Sequence, residues 1–350
     1  MLYEINDALA VDRLEGLRIP FENWNCPTDW KDWYHYILLD PQSGNKILVN
    51  VSLSNKPGGG EIQVSVIIQL RRTRSEYDTY AEVRSVPWEN GMVKRSPLLI
   101  KTSNTLLEIK NGISRIMFAG KNSDIELEFS AKANSVPFLI EEQTRFGSGF
   151  IGWGFIPNMV VNGSFKVCRT VYKLTPSWHC YHDRNFGRFR WGEDIGWEWF
   201  VATLKDDKGT GWQAVFDVRS NKDHTHRGFQ YIFLFRDNKL KKVFVGNTLQ
   251  LTWNRSPQTR TPLRMPGNMA TVMAGRVAAQ IDSIILTARD DRDHIKITLQ
   301  TEKAFELIVP DHKIRQYTVM EEISGKAILE THLGGKNVKS KGQFYAEFVR

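Results

Sequence analysis

The residues with the most chemistry in them fall in one stretch, Trp178-His179-Cys180-Tyr181-His182-Asp183-Arg184-Asn185-Phe186-Gly187, which continues through Arg190-Trp191-Gly192-Glu193-Asp194 to Trp197 and Trp199. A carboxyl, two imidazoles and a phenol stand within five consecutive positions, with indoles on both sides. Apolar walls raise the pKa of a carboxyl, and a carboxyl that keeps its proton near neutrality can act as an acid. In an extended segment Tyr181 and Asp183 face one side and His182 the other. That arrangement suits protonation of an alkene. Asp183 would deliver the proton, Tyr181 would orient it by a hydrogen bond, and indole faces would stabilise the developing carbocation. The same pocket suits cyclisation of a folded polyene or isoprenoid chain, or the binding of a lipid without turnover. The competing reading is a polar turn between strands whose tryptophans are core.

Other constellations carry less. His224-Thr225-His226 would put two imidazoles on one face of a strand, as metal ligands require, yet it follows Asn221-Lys222-Asp223 and reads as an exposed turn. His35, set among aromatics, reads as a hydrogen-bonded core histidine. No G-x-S-x-G elbow, P-loop or dinucleotide fingerprint occurs in its proper context. Basic and aromatic residues are not interleaved as on a nucleic-acid surface. The expectation is therefore no cofactor, no metal and no nucleic-acid partner.

The elements that must position these residues read as β. Ile47, Val49, Val51 and Leu53 alternate with polar or smaller neighbours, as do Ile62, Val64, Val66 and Ile68. Further strands are predicted at 98–102, 106–110, 114–118 and 125–130. Val160–Leu174 is read as resuming the pattern. In the second half, strands are predicted at 197–204, 211–218, 229–236, 242–245, 249–253, 283–288, 295–299, 305–309, 327–332 and 344–349. Asn111-Gly112 reads as a tight hairpin turn. Phe146–Phe155, rich in glycine, reads as a hinge or as a Trp153 presented to a cavity. Tyr3–Leu14 is read as a short helix in a leader spanning 1–20. Residues 254–276 fit neither period and read as a lid or surface loop. Short strands with almost no helical pattern point to closed or sandwiched β architecture.

At 350 residues the chain is long for one simple core and suits two domains, with a boundary near 180–195. Eleven Trp and 19 Phe imply deep cores or a large apolar cavity. The formal charge of +8 leaves a peripheral membrane contact open. Three cysteines, Cys26, Cys168 and Cys180, form no disulfide framework, and no CxxC pair suggests structural zinc. With no signal-peptide pattern and no run long enough to span a bilayer, the expected setting is cytoplasmic, open to membrane association.

Tyr181-His182-Asp183-Arg184-Asn185-Phe186-Gly187 resembles the Y-H-D-H-N-W-G signature of the lipocalin-like family. That family includes carotenoid 1,2-hydratase and AttH-like proteins, and more distantly tocopherol cyclase and the fungal lipocalin-like Diels–Alderases. Asp32-Trp33-Tyr34-His35-Tyr36, with Asp40 and Gly44, is similar to the family's opening segment. Gly342-Gln343-Phe344-Tyr345-Ala346-Glu347-Phe348 is similar to its closing strand. The resemblance implies an all-β fold of two consecutive lipocalin-like (calycin) antiparallel β-barrels, 21–185 and 186–350, with an apolar site near their junction. It also implies an acid at Asp183 assisted by a tryptophan, for which Trp153 is the counterpart. The chain departs from the signature at Arg184 and Phe186, and a cation pairing with Asp183 would weaken the acid role.

The expected site thus has Asp183, Tyr181 and His182 as its catalytic group. Trp153, Trp33, Tyr34, Trp178, Trp191 and Asn185 would line it, with His182 and Asn185 holding the turn between barrels. The expected activity is a cofactor-independent cyclase or hydratase of an apolar isoprenoid or polyene-like substrate, with no obligate protein partner. The alternatives are a lipid carrier without turnover and a pericyclic cyclase that acts by folding its substrate.

Overall fold

Alternating apolar positions produce strands almost everywhere in the computed structural model, which describes residues 3–4, 14–19, 29–56, 59–73, 76–121, 123–259, 277–311 and 316–350. The first sheet contains β1 (Tyr3–Glu4), β2 (Trp30–Leu39), β3 (Lys46–Lys56), β4 (Gly59–Arg71), β5 (Tyr77–Pro87), β6 (Met92–Arg95) and β7 (Leu98–Lys101). It continues with β8 (Thr105–Lys110), β9 (Ile113–Ala119), β10 (Ile125–Ala133), β11 (Phe138–Phe146), β12 (Gly149–Val167), β13 (Thr170–Leu174) and β14 (His179–Arg188). The second sheet contains β15 (Gly196–Asp206), β16 (Gly211–Ser220), β17 (Arg227–Arg236), β18 (Lys239–Val245) and β19 (Leu249–Thr259). Its remaining strands are β20 (Val277–Asp290), β21 (Asp293–Asp311), β22 (Gln316–Leu333) and β23 (Lys336–Val349). All the pairings are antiparallel among the described residues.

The fold is all-β, and the described residues form two compact units. Among the described residues, the first takes in those up to 70 and 78–190, the second 71–77 and those from 191 to 259 and from 277 to 350. In the first sheet the order is β5-β4-β3-β2-β14-β12-β10-β9-β8-β7-β6, with β11 and β13 on β12. The sheet curls, because the Tyr36 hydroxyl on β2 donates to Ser114 Oγ on β9, four places along that order, at 3.0 Å. Inside the curl lie Val49, Val51, Ile100, Leu107, Ile116, Phe129 and their neighbours. The second order is β18-β17-β16-β15-β23-β22-β21-β20-β19. There Lys242 of β18 reaches Asp290 of β20 and Asp293 of β21 at 2.8 and 2.9 Å, which draws the two ends of the sheet together around Phe200, Phe216, Ile297 and Phe344.

The predicted strands are present, mostly longer than the alternation alone indicated. Asn111 and Gly112 turn the β8–β9 hairpin at φ 52° and 71°. Several expectations change. Val160–Leu174 is two strands, because Cys168 at φ 55° turns the chain back. Phe146–Phe155 is not a hinge, since it runs from the end of β11 into β12 and carries Trp153 within a strand. Tyr3–Glu4 pairs as a strand with Phe138–Leu139 rather than starting a helix, and most of that expected helix lies outside the described residues. The irregular segment starts later than read, since β19 continues to Thr259, and 260–276 lies outside the described residues.

Gly342 shows how tightly β23 meets β15: a Cβ there would sit 1.9 Å from the Thr203 carbonyl oxygen. Gly342→Ala is expected to cost about 3 kcal/mol, the upper end for overpacking, read as a lowered urea midpoint. Substitution of Gly335 by Asn, in an open turn with φ 76° and nothing within 4 Å, is expected to leave the midpoint nearly unchanged.

Candidate active site

The central stretch is a strand hydrogen-bonded on both sides. β14 pairs with β2 from His179↔Leu39 to Arg188↔Trp30 and with β12 from Cys180↔Met159 to Arg188↔Phe150. The expectation of a turn at His182 and Asn185 is therefore corrected. A strand in mid-sheet sends alternate side chains to opposite faces, and here the two faces do different things.

Tyr181, Asp183 and Asn185 share one face. The Tyr181 hydroxyl donates to Asp183 Oδ2 at 3.0 Å, and Asn185 Nδ2 donates to Asp183 Oδ1 at 3.1 Å. Asp183 stands between Phe155 of β12 and His35 of β2, and Asn185 between Trp153 and Trp33. Trp153 stacks on Phe155 at 4.9 Å, Phe138 on Phe155 at 5.3 Å, and Phe155 on Tyr181 at 6.0 Å. Trp33 meets Phe189 edge-on at 5.8 Å. Tyr181, Asp183 and Trp153 are buried. Burial, and then the neighbouring His182, push the His35 imidazole down to about 3, so it is neutral at pH 7. An imidazole held that low accepts a proton poorly, so His35 adds no charge beside Asp183.

His182, Arg184 and Phe186 share the opposite face, inside the curl. Arg184 forms an ion pair with Asp32, and its guanidinium also donates to the carbonyls of Leu14 (2.9 Å) and Trp33 (3.1 Å). It lies 3.8 Å over the Tyr34 ring. His182 Nε2 meets Glu15 Oε1 at 2.7 Å, Nδ1 lies 2.9 Å from the His35 carbonyl oxygen, and the ring stacks on Tyr36 at 4.0 Å. Asp32 accepts from the amides of Arg18 and Ile19. The Tyr34 hydroxyl donates to the Glu15 carbonyl at 3.2 Å, and Arg95 holds the Leu17 and Ile19 carbonyls. These bonds seat residues 14–19 within the sheet's curl, where Leu14 and Ile19 are fully buried. Glycine on the neighbouring strand makes room: a Cβ on Gly154 would meet Leu14 at 2.5 Å, and one on Gly152 the Phe186 ring at 2.3 Å.

The structure thus gathers Asp183, Tyr181, Asn185, Trp153 and Trp33 on one face. His182 and Tyr34 stand on the other, anchoring residues 14–19. Trp178 belongs to the apolar core, edge-on to Phe165 at 5.9 Å. Trp191 falls in the second unit, 6.2 Å from Trp197. Sequence reasoning missed Phe155, Phe138 and the position of His35. Pairing places them here, and the alternation of β2 alone would have put His35 on the face of Trp33. Arg184, the departure that threatened the acid role, points away from Asp183 and is spent on Asp32.

Arg184→Met would leave Asp32 and Glu15 buried without their cation. The expected cost is about 3–5 kcal/mol by chemical unfolding, with faster proteolysis within the first 20 residues. His35 gives a pH signature. Its folded pKa lies below its unfolded value, so the unfolded chain binds more protons and stability rises with pH. Stability is full above about 6.5 and falls as pH drops toward about 3, a loss that His35→Phe should blunt in acid titrations followed by circular dichroism.

No family model matches the chain, and no curated protein matches it in sequence. Solved structures do share its fold. An AttH-like protein of Nitrosomonas europaea superposes with TM-score 0.59 at 14% identity, over 95% of this chain and 96% of that one. Kievitone hydratase of Nectria haematococca gives 0.54 at 12% identity, over 96% and 94%. CghA, also solved with Sch210972, gives 0.59 at 11% identity, over 100% and 97%. The lipocalin-like resemblance of the central motif thus holds at the level of the fold.

Proposed function

We propose that the protein is a hydratase or cyclase of an apolar isoprenoid or polyene-like substrate, with Asp183 as its proton donor. One observation carries this reading: a buried carboxyl, tied to a phenol and an amide, on a face walled by Trp153, Phe155 and Trp33, while the adjacent cation is turned to the other side of the strand. The fold shared with a hydratase and with CghA supports a scaffold on which such chemistry occurs, although fold alone names no reaction.

In this reading the Asp183 proton adds to one alkene carbon and leaves the cation on the other. Tyr181 and Asn185 hold the carboxylate that results, and the aromatic faces stabilise the cation. Water then adds and loses a proton, giving hydration, or a second double bond attacks and a proton is lost, giving a ring. Either way a proton returns to Asp183, so the group turns over without a cofactor. His182 and Tyr34 act in this scheme only by holding residues 14–19 in place.

Incubation with isoprenoid polyenes such as geranylgeraniol and squalene in D2O tests the reading. Products carrying one carbon-bound deuterium are expected by mass spectrometry. Asp183→Asn should lower turnover by about 10²–10⁴ with substrate still bound, and Tyr181→Phe by roughly tenfold. Turnover without deuterium would instead support the pericyclic reading, and binding without turnover the carrier. Full activity of Asp183→Asn would refute the acid assignment.

A further inference from the structure

The face that carries Asp183 does not end at β14, because its register continues across β2, β3 and β4. Asp183 stands opposite His35, His35 opposite Asn50, and Asn50 opposite Ser65. Two residues along the strands, Asn185, Trp33, Ser52 and Gln63 form a parallel row. Two residues the other way, Tyr181 is followed by Ile37, Leu48 and Ile67, all buried. The alternate positions of these strands, among them Tyr36, Val49, Val51 and Val64, belong to the apolar core inside the curl. The Asp183 face is therefore a polar track with an apolar border, running across the strands.

Two groups on this track stand out. Asn50 Oδ1 and Gln63 Nε2 are buried side-chain atoms with no hydrogen-bond partner among the described residues. The first can only accept and the second only donate. They belong to diagonal neighbours on paired strands, since Asn50 faces Ser65 and Gln63 lies two residues from it. Leaving such atoms unpaired costs stability. Both residues keep part of their surface open, as do His35, Trp33 and Asn185, whereas Asp183, Ser52 and Ser65 are buried. Free space thus adjoins the two amides above an otherwise covered face. The two rows hold no cation: His35 is neutral at pH 7, and Lys31, one row further, donates to the carbonyls of Asp29 and Phe189. The group that suits the amides is a neutral one that both donates and accepts, a hydroxyl rather than a carboxylate or phosphate.

We propose that Asn50 and Gln63 bind a hydroxyl group of the substrate and so select which of its double bonds lies at Asp183. The ligand hydroxyl donates to Asn50 Oδ1 and accepts from Gln63 Nε2. Paired strands lie about 4.8 Å apart, so Asn50, two strands from Asp183, sets that oxygen roughly 10 Å from the carboxyl, about two extended isoprene units from the double bond it protonates. The hydrocarbon between them lies beside Trp33 and along Ile37 and Leu48. The substrate class is an isoprenoid alcohol, and no bond is made or broken at the hydroxyl. The inference rests on the Asp183 reading for the double bond, and the hydroxyl subsite stands on its own residues.

Farnesol and farnesyl methyl ether test it, because they share a chain and differ by O–H against O–CH3. Quenching of tryptophan fluorescence should show the alcohol binding about tenfold tighter, since the ether cannot donate to Asn50. Asn50→Leu and Gln63→Met, each close in volume, should erase most of that preference, with folding checked by circular dichroism. Asp183→Asn should leave the preference intact. In D2O, farnesol and geranylgeraniol should take up deuterium at the same double bond, the second counted from the hydroxyl. Failure of farnesol to bind, equal affinity for the two probes, or a preference that survives both substitutions would overturn the subsite. So would deuterium at the terminal double bond of both alcohols, which would mean that the hydrocarbon end sets the register. A preference for the alcohol without deuterium uptake would uphold the subsite and refute the acid at Asp183. Deuterium uptake without the preference would do the reverse.

Discussion

The pairing of β14 with β2 on one side and β12 on the other is the constraint from which the site follows. Locked into two ladders, the strand cannot slip by one residue without exchanging its faces. One register sends Tyr181, Asp183 and Asn185 together to an aromatic face. The same register sends His182 and Arg184 inward, where isolated charges would be prohibitive. These polar groups are tolerated because each is hydrogen-bonded: Arg184 to Asp32 and backbone carbonyls, His182 to Glu15 and the His35 carbonyl. Breaking any member strands the others in low dielectric, so the interior network and the outward site are two consequences of one alignment.

That interior network has a further consequence for where chemistry can occur. In a curled sheet the enclosed space is the obvious home for an apolar ligand. Here Leu14, Leu17 and Ile19 are part of the packed interior of the first sheet, drawn in by Arg184, Asp32 and Arg95. The Asp183 carboxyl lies on the far side of the strand from that packing. Polar residues on the same outward face, Ser52 and Ser65, are buried as well, and in the second sheet Thr203 and Gln213 repeat the pattern away from the Phe200–Phe216 core. An antiparallel sheet with one apolar face and one polar face is ordinary. Burying the polar face carries a desolvation cost that recognition of a ligand could offset.

Much of this was legible in the chain. Period-two alternation marked the strands, and the extended reading of the central stretch correctly put Tyr181 and Asp183 on one face and His182 on the other. The closing glycine–aromatic–Glu segment was seen as a strand, but its partner was not. Glu322 and Glu347 are 25 positions apart and meet only through β22–β23 register, which one sequence does not reveal. The same limit hid the fate of Arg184. Its partner Asp32 is 152 positions away, so proximity in sequence to Asp183 suggested the wrong pair. The two residues adjacent in the chain are the ones a strand places farthest apart in orientation. Trp178 misled for a related reason: an indole next to a reactive stretch is also what a core needs, and the edge-on contact with Phe165 shows which role the packing selected.

Identity of 10–14% with structures of the same fold means that few side chains are shared, while the overall course of the backbone is similar. On such a scaffold, reaction type is decided by which groups stand on the faces the sheets present. A proton donor beside aromatic walls leads to cationic chemistry. The same walls without a donor would favour folding of the substrate alone, a matter of shape and a few hydrogen bonds. In this chain the outward face of β14 carries Asp183, bonded to Tyr181 and Asn185, beside Trp153, Phe155 and Trp33. The alternation over 181–185 sets which side chains meet on that face, and the strands paired on either side hold them in register.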